Sequence, residues 1–182
     1  MSSMKKLCTC AVCIALCCVL PTAFHALGLG IAFSPMHLPV LLCGVVCGWP
    51  YGAACGVVGP LLSSLATSMP APPQLLHMIP ELLAYGLVSG LLMGLLRTGN
   101  VYGDLYGSLI PAMVLGRVAG GAAQAIVYLS SAKDYSIALW AGSYFVTTAP
   151  GALVQLILIP VLYLVLVKAK LIPRRYPKEV LA

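Results

Sequence analysis

The sequence predicts an all-α membrane protein with six transmembrane helices. Three observations carry that expectation. Only 8% of the 182 residues are charged and 61% are hydrophobic, with a mean hydropathy of +1.03. A soluble domain carries about 25% charged residues, so too little polar side chain is present to coat a water-facing surface. At about 20 residues per span, a chain of this length holds six or seven membrane helices with short loops, and the apolar residues fall into six segments. The lysines and arginines, finally, gather at the two ends and in one turn, the pattern that encodes membrane orientation.

The segments are expected at 6–22, 36–47, 51–67, 78–96, 105–129 and 137–167, all within one membrane domain covering 1–182. The first follows Lys5 and Lys6 and ends near Ala23-Phe24-His25-Ala26. A cleaved signal peptide has the same outline, but the run resembles the later segments and reads as a retained helix. The second is short for a full span, so a tilted or partly re-entrant helix is expected. Trp49-Pro50-Tyr51-Gly52 makes a tight, aromatic connection to the third, as suits a membrane interface. Met69-Pro70-Ala71-Pro72-Pro73-Gln74 breaks the chain before the fourth, because proline removes a donor and clashes with the preceding turn. Arg97-Thr98-Gly99-Asn100 is a polar turn before the fifth. The polar stretch 130–136 precedes the sixth, which is long enough to include an interfacial turn.

Charge sets the orientation. With the N-terminus inside, Lys5, Lys6, Arg97, Lys168, Lys170, Arg174, Arg175 and Lys178 face the cytoplasm, and Lys133 alone lies outside. That bias places both termini in the cytoplasm. The loops at 24–35, 68–77 and 130–136 are then external. The net charge of +6 reports this orientation; no basic stripe of the kind that binds nucleic acid is visible.

Small residues recur every four positions: Gly44, Gly48, Gly52 and Gly56, then Gly86, Gly90 and Gly94, then Gly116 and Gly120. Such stripes let helix backbones approach closely. The eight cysteines, Cys8, Cys10, Cys13, Cys17, Cys18, Cys43, Cys47 and Cys55, all fall in or beside the first three segments. They are expected as free thiols packed between helices. Cys10 and Cys13 form a CxxC with no second pair at zinc spacing, and no metal site is expected.

The polar residues inside apolar segments are few and informative. Glu81 lies near the outer end of the fourth segment and Arg117 near the middle of the fifth. A charge at mid-bilayer costs several kcal/mol unless paired or wetted. Two arrangements satisfy this: a polar ligand site in the outer half of the bundle, or a Glu81–Arg117 ion pair that locks two helices. His25 and His77 fall in outer loops, and His37 opens the second segment within Ser34-Pro35-Met36-His37-Leu38-Pro39. Met36, His37, His77 and Met78 offer thioether and imidazole groups that suit a soft or borderline metal; histidines hydrogen-bonded to a loop or ligand are the plainer reading. No GxSxG, HExxH or GxxxxGK[ST] occurs, so the chain has no P-loop of its own.

Ala11-Val12-Cys13-Ile14-Ala15 is an AxxxA near the cytoplasmic end of the first helix. Together with the chain's size and topology, it resembles the substrate-binding S components of energy-coupling factor (ECF) transporters. The stretch FSPMHLPVLLCGVVCGWPYGAACGVVGPLLSSLATSMP (33–70) looks like the second and third helices of vitamin-type S components, and Pro80-Glu81-Leu82-Leu83-Ala84-Tyr85-Gly86 also fits. The resemblance spans nearly the whole chain and implies an S-component-like bundle. It implies a subunit that does no chemistry and binds a nutrient beneath the loops 24–35 and 67–77. It also implies docking through Ala11 and Ala15 on a transmembrane coupling subunit served by two cytoplasmic ATPases, which use the ATP. No cofactor is held by the chain itself. A toppling motion in lipid, also implied, suits a lateral surface with few charges.

The ligand is expected to touch Arg117, Glu81, His37, Met36, Tyr85, Gln124, Tyr128, Tyr144 and His77. Arg117 offers a fixed donor fork for a carboxylate, so an anionic or zwitterionic vitamin such as niacin or pantothenate is expected. Cobalamin or haem is the alternative resting on the methionine and histidine pairs. A stand-alone small transporter or channel, and an intramembrane enzyme using Glu81, His37 and Arg117, are the readings from other classes.

Overall fold

The computed structural model describes residues 1–26, 28, 33–130 and 136–176. All regular secondary structure among them is helical: α1 (Ser3–Ala26), α2 (His37–Cys47), α3 (Trp49–Thr67), α4 (Pro72–Leu95), α5 (Val101–Ser130), α6 (Ile137–Ala141), a π-helical segment (Gly142–Thr147) and α7 (Ala149–Lys168). Expected loop residues 27, 29–32 and 131–135, with Lys133 and Asp134, lie outside the described residues, as does Lys178 of the basic tail.

Four helices, α1, α4, α5 and α7, are long and apolar enough to cross a membrane. Helix α2 has 11 residues, about 16 Å at the α-helical rise. Helix α3 has 19, but glycine, proline and serine dilute its leucines and valines. Length and composition alone therefore mark four spans rather than the six expected. Leu65, Leu91, Leu95, Ile110, Leu115, Ile126, Leu153 and Ile157 all face outward, as they do where the solvent is hydrocarbon rather than water.

Several expected boundaries move for local reasons. Helix α4 begins at Pro72 rather than 78, because its prolines occupy the first helical turn, where a missing N–H costs nothing. His77 is thereby inside α4, and His25 lies in the last turn of α1; neither is a loop residue. Helix α5 begins at Val101, after Asn100 Oδ1 accepts the Tyr102 N–H at 2.9 Å. The stretch expected as one long segment at 137–167 divides at Thr148, whose backbone (φ −96°, ψ 6°) leaves helical geometry.

Glycines fix the crossing of α2 and α3 on α4. A Cβ at Gly44 would fall 2.6 Å from the Gly86 carbonyl oxygen, and one at Gly90 2.6 Å from Trp49 Cα. Gly52 and Gly86 face each other, and Gly56 faces the Leu82 carbonyl, too closely for any side chain. Gly94, by contrast, has open space around it. The cysteines bind the other side of this unit. All eight are free, and Cys10, Cys13, Cys17, Cys43, Cys47 and Cys55 are buried. The Cys10 and Cys43 thiols both donate to the Tyr51 carbonyl at 3.5 Å, Cys47 to that of Lys6 at 3.6 Å, and Cys17 to that of Met36 at 3.8 Å. A small thiol fills the gap between α1, α2 and α3 and satisfies a carbonyl with its weak donor.

Candidate functional site

A cavity of about 740 Å³ opens between the ends of α1, α2, α4 and α5, the π-helical segment and α7. Met36, His37, His77, Glu81, Tyr85, Arg117, Gln124, Tyr128 and Tyr144 all line it. Its rim is the 68–71 turn after α3. Ser63 Oγ and Ser64 Oγ donate to the Met69 and Pro70 carbonyls at 2.8 and 2.9 Å, which ties that turn to the helix below it.

The two ionisable residues are not paired with each other. Glu81, 6% exposed, takes a hydrogen bond from His37 Nε2, with 3.1 Å to its Oε1. Arg117 Nε instead donates to the Tyr85 hydroxyl at 3.3 Å, and its guanidinium lies 5.2 Å from the centre of the Phe145 ring. Among the described residues no carboxylate reaches Arg117 within ion-pair distance. Of the two arrangements the sequence allows, the Glu81–Arg117 lock is therefore not the one formed. His37, opening α2, reaches Glu81 first, and Tyr85, 1% exposed, stands edge-on to His37 at 5.0 Å while bonded to Arg117.

Helix spacing explains the placement. Glu81 and Tyr85 are four residues apart on α4 and share a face. On α5, Gly116 and Gly120 flank Arg117 at the same spacing. A Cβ at Gly116 would fall 2.6 Å from the Tyr85 ring, and one at Gly120 2.9 Å from Glu81 Cβ. These glycines are the room in which the tyrosine and glutamate stand. Arg117 is steadied from behind by Trp140, whose Nε1 donates to the Arg117 carbonyl at 3.3 Å and whose ring meets Phe145 edge-on at 5.3 Å.

Two buried polar atoms at the wall, His37 Nδ1 and Gln124 Oε1, have no hydrogen-bond partner among the described residues. Orphaned groups of this kind are rare in native proteins and call for a reason. The remaining wall is better satisfied: Tyr144 and His77 Nδ1 are hydrogen-bonded at 3.1 Å. Among the described residues no cluster of three metal-ligating side chains occurs.

Sequence reasoning did not single out Gln155, Phe145 or Trp140. Gln155 is 3% exposed, lines the cavity and donates to the Ser34 carbonyl at 3.4 Å. It is a polar residue in the middle of aliphatic α7, and that contrast was its available signal. The two aromatics had none, since their roles depend on the π-helical turn. Ala11 and Ala15 lie away from the cavity, exposed on the face of α1 opposite the buried Cys10, Cys13 and Cys17.

The family model of the ECF transporter substrate-specific component matches residues 5–163. The chain belongs to this family. No curated protein and no solved structure matches it. ECF substrate-specific components are transport-specificity subunits and not enzymes, which removes the intramembrane-enzyme reading. As one of them, this chain is a multi-pass membrane protein that binds a small-molecule substrate and works with the partners of an ECF module. The match begins at residue 5, so α1 belongs to the family's own pattern.

Proposed function

We propose that this substrate-specific component captures an anionic or zwitterionic vitamin, of the size and charge of niacin or pantothenate, in the cavity above Tyr85. One observation carries the reading: His37 takes Glu81, while Arg117 faces the same cavity and, among the described residues, has only a neutral hydroxyl and a ring for partners. A half-buried cation without a counter-ion is costly in a low-dielectric site, and a ligand carboxylate on the guanidinium fork relieves that cost. Gln124 Oε1 would accept an N–H or O–H of the same ligand. The volume, about 740 Å³, lies within the usual range for small-molecule pockets.

The chain sits in a bacterial cytoplasmic membrane with α1 to α5 and α7 crossing it and both termini inside. Helix α2 crosses as a short span inside the bundle, its residues buried by α1, α3 and α4 rather than by lipid. Ala11 and Ala15 form the docking patch for a transmembrane coupling subunit, and two cytoplasmic ATPase subunits supply the energy from ATP. This makes an ECF-type ABC importer in which the chain holds substrate and no cofactor.

The test is native mass spectrometry and thermal unfolding of the detergent-purified chain against a vitamin panel that includes nicotinate and pantothenate. Stabilisation by a carboxylate vitamin, lost on amidation of that carboxylate, is the expected result. Equal response to the amide would refute the carboxylate assignment.

A further inference from the structure

A second cavity, of about 690 Å³, lies at the opposite end of the molecule, between the start of α1 and the chain that follows α7. Its wall holds four cations, Lys5, Lys168, Lys170 and Arg174, beside the apolar Val167 and Leu171. Among the described residues no carboxylate lines it, and none of the four takes part in an ion pair.

The local backbone holds these charges together at a cost. Helix α7 ends in a turn in which Ala169, Lys170 and Leu171 N–H groups bond back to Val165, Val167 and Leu166 carbonyls at 2.8, 3.1 and 3.0 Å. Lys170 provides the left-handed residue of that turn, with φ +58°. Glycine is the usual occupant of such a position, and a lysine there is strained by its Cβ. Strain of this kind persists where it serves a site.

Beyond the turn the chain is pinned on both sides of Arg174. Ile172 is buried. Arg175 bonds Asp104 and the Leu96 carbonyl, and the Tyr176 hydroxyl donates to Asp104 Oδ2 at 2.6 Å. Asp104 is fully buried and accepts two further bonds from Thr98, at 2.8 and 2.9 Å. Arg174 is thus presented over the cavity by a fixed strap. The cost of collecting like charges is met before any ligand arrives.

We infer that this cavity binds the phosphate headgroup of an anionic phospholipid in the cytoplasmic leaflet. The shared chemistry is a phosphate on a fork of lysine and arginine. The apolar wall of Val167 and Leu171 beside the cations favours a lipid over a free phosphate, because it gives the glycerol and upper acyl carbons a dry surface. Basic pockets at the cytoplasmic side of membrane helices take such headgroups. The inference rests on the proposed cytoplasmic placement of both termini.

The experiment uses the full chain in detergent, titrated with dioleoyl-phosphatidylglycerol, dioleoyl-phosphatidylcholine, glycerol 3-phosphate and inorganic phosphate, and read by native mass spectrometry and thermal unfolding. Phosphatidylglycerol is expected to bind at least about tenfold more tightly than phosphatidylcholine, at about 1 kcal/mol per basic residue engaged. Lys170→Gly with Arg174→Gln should weaken phosphatidylglycerol binding about 30-fold on the same basis, leaving phosphatidylcholine unaffected.

Lys170→Gly alone separates function from folding. It relieves the left-handed strain, so the lipid-free protein should melt no lower than the parent while phosphatidylglycerol binds about fivefold more weakly. Equal binding of the two lipids by the parent, or phosphatidylglycerol affinity unchanged in the double variant, overturns the site. Stabilisation by inorganic phosphate or glycerol 3-phosphate as strong as that by the lipid overturns the lipid assignment. These readouts need no vitamin, so they stand apart from the substrate reading. A C-terminal tag that protease reaches in intact cells overturns the leaflet assignment.

Discussion

Arg117→Gln tests the electrostatics of the upper cavity directly. The substitution removes one hydrogen bond to the Tyr85 hydroxyl and one cation–ring contact with Phe145. A neutral-acceptor hydrogen bond contributes about 1 kcal/mol and a partly exposed cation–π contact about 0.5–1 kcal/mol. The variant should therefore lose at most about 2 kcal/mol of stability, and less as removal of the unpaired charge offsets the lost contacts. Had Arg117 been locked to Glu81, removal of one partner from a buried pair would cost about 3–5 kcal/mol. Binding should change by more than folding does. A charge-assisted hydrogen bond to a carboxylate contributes about 1.5–3 kcal/mol, so affinity for nicotinate or pantothenate, whichever binds, should fall about 10- to 150-fold. Arg117→Lys should fall between the two, keeping the charge but losing the planar fork. Isothermal titration calorimetry on the detergent-purified variants measures the affinity, and thermal unfolding the stability. A stability loss of about 4 kcal/mol with affinity unchanged within about twofold would refute the reasoning and make Arg117 a structural residue.

Three further outcomes are expected. Tryptophan at Ala11 or Ala15 should abolish uptake by cells carrying the whole transporter and leave vitamin binding by the purified chain intact; loss of binding with assembly preserved would refute the docking role. Gly86→Ala should destabilise the protein by about 1–3 kcal/mol through overpacking, because its methyl group meets the Gly52 carbonyl, whereas Gly94→Ala, with open space around it, should not; comparable melting temperatures for the two would contradict the close crossing of α3 and α4. Asp104→Asn should destabilise by about 2–4 kcal/mol, somewhat below the value for a wholly buried pair because Arg175 is partly exposed. Limited proteolysis should then cut the C-terminal chain faster than in the parent.

Much of the site was legible because membrane sequences are simple. In a chain with so few polar residues, each one within an apolar segment is informative, and the nine expected to gather do line one cavity. Partner choice was not legible. Glu81 and Arg117 looked complementary by type and depth, yet His37 lies closer to Glu81 because α2 opens at the same level as the middle of α4. Spacing along one helix is readable, whereas the offset between helices depends on where α2 starts and how tightly glycine lets it approach. Asp104 went unremarked for a similar reason. It stands just before the segment expected at 105–129, and its partners lie more than 70 positions away at Arg175 and Tyr176. Proline misled at 72–73, where it begins a helix instead of ending one.

The π-helical turn at Gly142–Thr147 has a consequence for how this pocket tolerates change in chain length. A π segment holds one residue more than the α-helical turn of the same rise, so it behaves as a stored insertion. Removing one residue would let the segment relax to an α-helix while the helices on either side keep their facing. What it re-aims is confined to the turn: Tyr144 against His77 and Phe145 beside Arg117. The same deletion within an α-helical wall such as α5 would rotate everything beyond it by about 100°. Change in chain length is therefore absorbed at this one wall of the cavity where the others would lose their register.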